Sequence, residues 1–351
     1  MMRRADIRSL AKINLDVRVL HKRADGFHEL RTVFQTISLA DKIEMEYEPA
    51  RRTSLDIDDA LSIPDNLILR AARAVLDATK TTARVRFTLT KNIPMGGGLG
   101  GGSSNAAAVL LALPVLAGKR IGLADLAELG AQLGSDVPFF LTGGTAVAVD
   151  RGTETYPLPE IAREPILVVS SGLHVATGPA YEALGRSAGG GLTSADFSRR
   201  IKGFRAFVES LASVRSARQA SAFSANDFEP VVFGQYPQLK TLSGKLRKAV
   251  VGAASTEGLR AAGRGPGRGG VGMTGSGSAL FALFASEAER ALVERVLKRD
   301  GVFEGCRVLR AKLVDRRGYQ RMWRAQLAEH LGPVENERDV TIWPPQSRYA
   351  R

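Results

Sequence analysis

The chain has 351 residues, of which 44 % are hydrophobic and 24 % charged, the balance of a globular protein long enough for two ordinary domains. Its single cysteine, Cys306, excludes an internal disulfide and a thiolate metal cluster, and the lack of HExxH, CxxC and EF-hand spacings argues against a tightly held structural metal. A net charge of +13 suits anionic partners, but charge alone does not choose among nucleic acid, a membrane surface and phosphorylated metabolites.

The sequence shows neither a secretory signal nor a membrane segment. The basic start, Met1 to Arg4, is followed by charged residues rather than by an apolar stretch. The longest apolar stretch, 106–118, contains Pro114 and is shorter than the about 20 residues that a helix needs to span a bilayer. A single cysteine fits a reducing compartment. We therefore expect a cytoplasmic protein without a membrane partner.

The N-terminal third alternates between apolar and polar residues, a pattern that predicts β-strands. The alternation is found at 7–19, 33–39, 42–47 and 85–89. Helical spacing occurs at 66–78. The glycine-rich segment 94–104 then leads into an apolar, alanine-rich helix expected at 105–116, and a shorter helix is expected at 123–133.

The second half of the chain predicts a separate domain. Strands are expected at 146–149, 166–169 and 280–284, and helices at 204–211 and 239–250. Three prolines between 157 and 165 mark a boundary, so we expect an N-terminal domain over 1–160 and a C-terminal domain over 161–317. Segment 261–270 has the composition of a flexible basic loop, and 318–351 that of a polar, basic extension of unknown role.

The glycine-rich segment is the sharpest functional signal. Six glycines occur between Gly96 and Gly102, directly before a hydrophobic helix. This density lets successive backbone N–H groups approach an anion closely, and a helix N-terminus adds to the attraction. Ser103 and Ser104 can cap the helix and donate hydrogen bonds to phosphate oxygens. Since flexible linkers seldom run straight into a hydrophobic helix, we interpret the segment as a phosphate-binding loop.

The glycine spacing excludes one kind of phosphate loop and only weakly fits another. The G-x-x-x-x-G-K-[ST] pattern of a Walker A loop does not occur. Gly96, Gly98 and Gly101 satisfy the dinucleotide-binding pattern, but any run of six glycines tends to satisfy it. That motif also needs an acidic residue at a strand end about 20 residues on, and the nearest candidate, Asp125, lies in a helical pattern.

Four segments, in the correct order, resemble the GHMP kinases. The glycine segment fits their second motif, P-x-x-x-G-L-G followed by S-S-x-A-A, and its extra glycines resemble the diphosphocytidyl-methylerythritol kinases in particular. The other segments are AKINL (11–15) with KRADGFHEL (22–30), GSDVPFF (134–140) and GMTGSGS (272–278). The resemblance implies an α+β fold with two domains, in which the active-site cleft lies between an N-terminal α/β domain and a C-terminal ferredoxin-like α/β domain.

The resemblance implies that the glycine loop wraps the ATP phosphates and that the adenine pocket lies near Asn66. The ATP-binding residues expected on this basis are Asn66, Pro94, Met95, Gly96, Gly97, Gly98, Leu99, Gly100, Gly101, Gly102, Ser103 and Ser104. From the residues alone, Asn66 could be only a helix N-cap. Mg²⁺ would arrive with ATP and be held mainly by phosphates, so no protein ligand is named for it.

The resemblance makes Lys12 and Asp136 the catalytic residues. A kinase must accept a proton from a hydroxyl and offset charge on the transferred phosphoryl group. Asp136 can be that base or can orient the hydroxyl, although an aspartate here is also typical of a turn or cap. Periodicity alone favours the solvated face of the strand for Lys12. In the family, by contrast, the corresponding lysine faces the catalytic aspartate.

The resemblance assigns Asn14, Phe27 and His28 to substrate binding. Phe27 and His28 follow a turn at Asp25 and Gly26, and an aromatic ring on a loop can stack on a nucleobase. Without the resemblance, Phe27 could be an ordinary core residue and His28 a structural hydrogen-bonding group. Asn14 would lie near the substrate phosphates.

The C-terminal glycine motif is expected to support the active site, although it could be a plain tight turn. Its residues are Thr274, Gly275, Ser276 and Gly277. The chain departs from the family pattern just before this motif, where segment 261–270 intervenes. The extension that starts at 318 has no counterpart in the family pattern.

The implied activity is that of an ATP-dependent small-molecule kinase. It would phosphorylate the 2-hydroxyl of 4-diphosphocytidyl-2-C-methyl-D-erythritol in the methylerythritol phosphate route to isoprenoid precursors. The expected partners are ATP and this cytidine diphosphate-linked alcohol, with a monomer or homodimer as the assembly. Two alternatives stay open: another GHMP kinase acting on homoserine, mevalonate or a sugar, and a basic nucleic-acid-binding protein. The lack of an aromatic-rich basic patch argues against nucleic acid.

Overall fold

The computed structural model describes residues 1–185, 192–256, 270–332 and 343–350. Within these ranges the strands are β1 (Arg3–Lys22), β2 (His28–Pro49), β3 (Ser54–Asp59), β4 (Ala83–Thr90), β5 (Thr145–Val149), β6 (Glu154–Pro157), β7 (Pro165–Ser170), β8 (Val271–Met273), β9 (Leu280–Leu283) and β10 (Arg307–Lys312). The helices are α1 (Leu67–Ala78), α2 (Gly101–Ala117), α3 (Leu123–Leu133), α4 (Val137–Thr142), α5 (Thr177–Ala183), α6 (Ser194–Val214), α7 (Ala217–Ala220), α8 (Glu229–Gln235), α9 (Pro237–Thr256), α10 (Glu287–Arg299) and α11 (Arg316–Gln326).

The strands form two sheets, which confirms the predicted α+β class. In the first sheet β3, β4, β2, β5 and β6 follow one another and β1 pairs with β2; every pair is antiparallel except β3–β4. In the second sheet the order is β10, β7, β9 and β8, antiparallel throughout. This arrangement is not a single doubly wound parallel sheet.

The helix after the glycine loop differs from its prediction in an informative way. It begins at Gly101 rather than at residue 105, and Gly100, with φ 70°, is its N-cap. No side chain makes a cap hydrogen bond there. The prediction that Ser103 and Ser104 cap this helix is therefore wrong, because both serines lie within its first turn.

Strand β1 departs from simple alternation where it passes the cleft. Side chains over 9–17 are buried on both faces of the strand. Its pairing with β2 shifts register between Leu10 and Lys12 and again between Asn14 and Asp16. Because β-bulges re-aim the neighbouring side chains, alternation indicated the wrong face for Lys12, which is only 3 % exposed.

Three groups of buried side chains hold the layers together. The first lies between the first sheet and helices α1 to α4; α2, apolar on all sides, is nearly enclosed there. The second lies between the second sheet and helices α8, α9 and α10. The third joins β1 and β2 to β7, β9 and α6. The two sheets therefore share an apolar contact, next to which the cleft opens.

The residues after β10 fold against the first core. Helix α11 buries Tyr319 and Trp323, and Leu327 follows them into the same core. The segment predicted as a polar extension thus begins with an amphipathic helix, on which Arg317 and Arg321 are exposed.

The described residues 343–350 return to this side of the molecule. Ser347 makes a bridge with Leu331, and Trp343 packs against the first core. The basic loop predicted at 261–270 lies outside the described residues, apart from Gly270. The domain limits at 160 and 317 remain predictions.

Candidate active site

A cleft of about 470 Å³ opens between the N-terminal and C-terminal halves. Nine residues that the sequence assigned to the site line it: Lys12, Asn14, Phe27, His28, Gly98, Gly100, Asp136, Gly275 and Ser276. Other lining residues were not predicted, among them Lys22, Thr32, Phe34, Arg151, Thr177, Tyr181 and Glu182. The structure therefore brings the four resembling segments to one place.

Lys12 and Asp136 form an ion pair inside this cleft. The Lys12 ammonium lies 3.2 Å from Oδ2 of Asp136 and donates a hydrogen bond of 2.6 Å to Oδ1 of Asn14. It also lies 5.0 Å from the ring centre of Phe34, within cation–π range. A lysine side chain that is 4 % exposed needs such partners, whereas Asp136 keeps 30 % of its side chain exposed to the cleft.

Asp136 directly precedes α4, but its carboxylate does not cap that helix. The helix has six residues and carries Pro138 in its first turn, a position that proline favours. The carboxylate instead contacts Lys12 and lines the cleft. The Asp136 side chain therefore does not act as a helix cap, although the residue lies in a turn, and its catalytic role remains a prediction.

The glycine loop is shaped by its contacts with the C-terminal half. Gly96, Gly98 and Gly100 have φ values of 66°, 72° and 70°, which side-chain-bearing residues rarely adopt. The Gly97 carbonyl oxygen accepts a hydrogen bond from the Ala279 N–H at 3.2 Å, and the Gly98 carbonyl oxygen accepts one from the Thr274 hydroxyl at 3.0 Å. The C-terminal glycine motif thus supports the loop directly.

The two serines after the loop have different surroundings. The Ser104 hydroxyl is buried and donates to the Leu10 carbonyl oxygen at 2.6 Å, so it joins α2 to β1. Ser103 is partly exposed in the same turn. The geometry favours Ser103 as the hydroxyl that can reach a phosphate, and the ATP-binding role of both serines remains a prediction.

Asn66 caps α1, as the sequence allowed. Its Oδ1 accepts from the Ile68 N–H at 3.1 Å, and its Nδ2 donates to Asp59 at 3.1 Å. The next residue, Leu67, lies 3.6 Å from where a Cβ at Gly102 would stand. Asn66 is therefore close to the glycine loop, and its role at the adenine remains a prediction.

Thr274 and Asn226 hold the C-terminal glycine motif in place. The Thr274 hydroxyl accepts from the Asn14 N–H at 3.1 Å, which joins the motif to β1. Asn226, which the sequence did not assign to the site, donates from Nδ2 to the carbonyl oxygens of Met273 at 2.8 Å and Gly275 at 2.9 Å. Both Thr274 and Asn226 are buried.

Aromatic rings form the other end of the cleft. Phe27 is 49 % exposed, so it is not a core residue, and the Arg151 guanidinium lies 4.9 Å from its ring centre. The His28 ring stacks on Tyr181 with centroids 4.7 Å apart and an angle of 23°. Tyr181 in turn packs edge-on against Phe228 at 4.9 Å.

Tyr181 is the most informative residue that the sequence reasoning missed. Burial raises the pKa of its phenol, and the charge of Asp136 raises that pKa further. The phenol is thus neutral and close enough to Asp136 to sense its charge. Lys22 and Arg151 add positive charge to the cleft lining, which suits a phosphorylated ligand.

Within the described ranges, no group of three or more His, Cys, Asp or Glu side chains is arranged to hold a metal ion. None of the described helices has the length and apolar character that crossing a membrane requires.

Comparison with known proteins places the chain in a family. Residues 66–144 match the model of the GHMP kinases N terminal domain, and residues 254–302 match that of the GHMP kinases C terminal domain. A 4-diphosphocytidyl-2-C-methyl-D-erythritol kinase from Solibacter usitatus (strain Ellin6076) is 45 % identical over 347 residues, which cover 99 % of this chain and 98 % of the relative.

Solved structures agree with that match. A crystal structure of a 4-(cytidine 5'-diphospho)-2C-methyl-D-erythritol kinase has a TM-score of 0.65 and 33 % identity, covering 88 % of this chain and 98 % of that one. A homoserine kinase from Cytophaga hutchinsonii also has a TM-score of 0.65, over 88 % of this chain and 95 % of its own, but at 17 % identity it shows only the shared fold. The chain belongs to the 4-diphosphocytidyl-2-C-methyl-D-erythritol kinase family of the GHMP kinases.

Proposed function

We propose that this protein is an ATP-dependent kinase that phosphorylates the 2-hydroxyl of 4-diphosphocytidyl-2-C-methyl-D-erythritol, a step of the methylerythritol phosphate route to isoprenoid precursors. One observation carries the proposal. The Lys12–Asp136 pair shares a cleft with the glycine loop and with an exposed aromatic ring beside the His28–Tyr181 stack. An aspartate–lysine pair, a glycine loop and an exposed aromatic ring thus meet in one cavity, which supports roles as base, phosphate cradle and nucleobase surface.

The reaction needs a proton acceptor and charge stabilisation. The hydroxyl oxygen attacks the γ-phosphorus and its proton passes to Asp136, while the bond from the γ-phosphorus to the bridging oxygen of ADP breaks. Lys12, held against Asp136 at 3.2 Å, offsets negative charge on the transferred group. The products are ADP and the substrate phosphorylated at its 2-hydroxyl, and the proton leaves from Asp136 to solvent.

The ATP phosphates are proposed to lie against the backbone N–H groups where the loop enters α2. This helix has 17 residues, and its N-terminal N–H groups and dipole attract anions. The carboxylates that line the cleft are Asp136 and Glu182, and Asp136 is already paired with Lys12. This donor set fits a Mg²⁺ ion held mainly by phosphate oxygens, which would shield their charge when bound.

The cytidine is proposed to stack on Phe27. Its ring is exposed at the cleft and carries the Arg151 guanidinium at 4.9 Å, so a flat base can occupy a surface that is already aromatic and cationic. His28, oriented by its stack on Tyr181, can read the edge of the base. Lys22 and Arg151 are placed to offset the charge of the diphosphate. Such a reaction between small metabolites suits the cytoplasm.

The proposal is tested by incubating the protein with ATP, Mg²⁺ and one alcohol at a time. The panel contains 4-diphosphocytidyl-2-C-methyl-D-erythritol, homoserine, mevalonate and galactose, and mass spectrometry detects any phosphorylated product. We expect a product from the first alcohol alone, and none from that alcohol with the Asp136→Asn variant. A product from homoserine, mevalonate or galactose instead would assign another GHMP activity.

A further inference from the structure

The residues after β10 contact the rear ends of the two helices whose front ends form the cleft. Helix α2 begins at the glycine loop and α4 begins directly after Asp136, and the two helices pack against each other. The last carbonyl groups of a helix have no partner within it and must be satisfied from outside. In this protein, side chains from the C-terminal segment donate to carbonyl oxygens at the ends of both helices; one of these oxygens, that of Val115, also accepts from the Gly118 N–H at 3.2 Å.

At α4 the partners are an aromatic hydroxyl and an indole. The Tyr319 hydroxyl donates to the carbonyl oxygen of Phe140, and Nε1 of Trp343 donates to that of Leu141 at 2.7 Å. Because α4 has only six residues, these two bonds act about one and a half turns from Asp136. These two hydrogen bonds fix the position of the short helix α4 along its own axis.

The fit of Tyr319 against the end of α4 is close. Its side chain is 1 % exposed, and a Cβ at Gly143, the C-cap of α4, would lie 2.6 Å from the Tyr319 ring. Gly143 has φ 63°, which favours glycine in any case. Tyr319 therefore has no room to shift towards the helix, and α4 has none to shift towards Tyr319.

At α2 the partners come from both ends of the chain. The Ser347 hydroxyl donates to the Val115 carbonyl oxygen at 2.6 Å, and the Arg3 guanidinium donates to that of Leu116. The same guanidinium lies 3.8 Å from the ring centre of Tyr349, which packs against Gly118 at the end of α2. The rear of α2 is thus held by the Ser347 hydroxyl and, through Arg3, by the ring of Tyr349, whereas the Tyr349 hydroxyl makes no hydrogen bond to α2 within the described residues.

We propose that Tyr319, Trp343 and Ser347 are positioning residues for phosphoryl transfer, which set Asp136 and the glycine loop by fixing the rear ends of α4 and α2. Lys12 comes from β1, a separate element, so the Lys12–Asp136 distance depends on where α4 lies. A displacement of about 1 Å in a reacting group can cost about 10²-fold in rate. The kinetic part of this inference rests on the proposed function.

The chain offers a matched pair of variants for the test. Tyr319→Phe removes the hydroxyl that binds α4. Tyr349→Phe removes a hydroxyl from the same segment, but that hydroxyl pairs with His330 at 3.2 Å and Arg348 at 3.0 Å rather than with either helix. Trp343→Phe removes the second donor to α4. Melting temperatures establish that each variant is folded, and all assays are run well below the lowest of them.

Two readouts are compared, one of which needs no activity. Hydrogen exchange by mass spectrometry follows the peptide that contains α4, and kinetics give kcat and the KM for ATP. We expect Tyr319→Phe and Trp343→Phe to speed exchange in α4 and to lower kcat about tenfold with an almost unchanged KM for ATP. Tyr349→Phe should leave both readouts at wild-type values.

The inference is overturned if Tyr319→Phe and Tyr349→Phe lower the melting temperature alike while kcat and exchange in α4 stay at wild-type values. The C-terminal segment would then contribute stability alone. If the wild type fails to phosphorylate the expected alcohol, the proposed function fails, and the exchange comparison decides the positioning of α4 independently.

Discussion

The carbonyl oxygen of Thr274 occupies the space that a Cβ atom at Gly98 would need. The Thr274 hydroxyl donates to the Gly98 carbonyl oxygen as well, at 3.0 Å. These two contacts join the glycine loop of the N-terminal half to the glycine motif of the C-terminal half. Because Gly98 also has φ 72°, no other residue fits there without moving one of the two loops.

Gly98→Ala should therefore impair the use of ATP. The new methyl group would push the glycine loop away from Thr274, and we expect kcat/KM for ATP to fall about 10²-fold, the scale of a misplacement of about 1 Å. Gly244→Ala on α9 is the control, because a Cβ there would meet nothing within 4 Å and the residue does not line the cleft. Steady-state kinetics with varied ATP measure both. Equal losses in the two variants would contradict a specific role for the Gly98–Thr274 contact.

Phe27→Ala should weaken the cytidine-bearing substrate and spare ATP. Stacking of a base on an aromatic ring contributes about 1–3 kcal/mol, so KM for the alcohol should rise between about fivefold and 150-fold. The control is Phe197→Ala on α6, which removes an aromatic side chain that is 42 % exposed and does not line the cleft. Parallel increases of KM for both substrates would instead indicate a structural role for Phe27.

Asp16 should make stability depend on pH. Burial raises the pKa of its carboxyl from 3.8 to about 6, and the ion pair with Arg18 at 2.9 Å opposes that rise only in part. A carboxyl group whose pKa is higher in the folded than in the unfolded state stabilises the fold at pH values below its unfolded-state pKa. This stabilisation is lost as the pH rises through the folded-state pKa. From pH well below 4 to pH well above 6, the wild type should lose up to about 3 kcal/mol from this group, most of it between pH 4 and 7.

The Asp16→Asn variant removes this titration. The free energy of unfolding of both proteins is measured with urea at several pH values. As pH rises from 4 to 7, the value for Asp16→Asn should increase relative to that of the wild type. Asp58→Asn, at an exposed position on β3, should follow the wild-type curve. A constant difference between wild type and Asp16→Asn over this range would show that Asp16 titrates at its ordinary value.

The sequence predicted those parts of the site whose residues lie within short local motifs. The glycine density, the residues around Asp136 and the exposed turn before Phe27 all lie within short segments. The direction of the Lys12 side chain was harder to predict, because it depends on two register shifts between β1 and β2 that apolar–polar alternation does not reveal. Tyr181 was missed because its role comes from stacking on His28, a residue distant in the sequence.

The sequence of the C-terminal helix α11 contains a helical pattern that its basic composition obscured. Tyr319, Trp323 and Leu327 are spaced four residues apart, as on one face of a helix, and all three are buried. Their basic neighbours gave the segment the composition of a solvated extension. No local pattern could have indicated that Tyr319 donates to Phe140, since that contact depends on how α11 packs against α4.

The Lys12–Asp136 pair gives the most direct prediction about the chemistry. Asp136→Asn keeps the shape of the side chain and removes its charge, so kcat should fall about 10²-fold or more, the usual scale for loss of a general base, with little change in KM for ATP. Lys12→Met should also lower kcat. Asp125→Asn, an exposed carboxylate on α3, is the control and should keep wild-type turnover.

The double variant decides whether the two residues work as one unit. Asp136 and Lys12 contact each other at 3.2 Å, and the Lys12 side chain is only 4 % exposed. Removing either partner should therefore already abolish the contribution of the other to catalysis. When two residues act as a unit, the rate losses from their single substitutions do not add in free energy in the double variant. We therefore expect Lys12→Met with Asp136→Asn to be hardly slower than the slower single variant. Rate losses that multiply would show that Lys12 acts on the phosphoryl group independently of Asp136, and near-wild-type turnover in Asp136→Asn would rule out the base assignment.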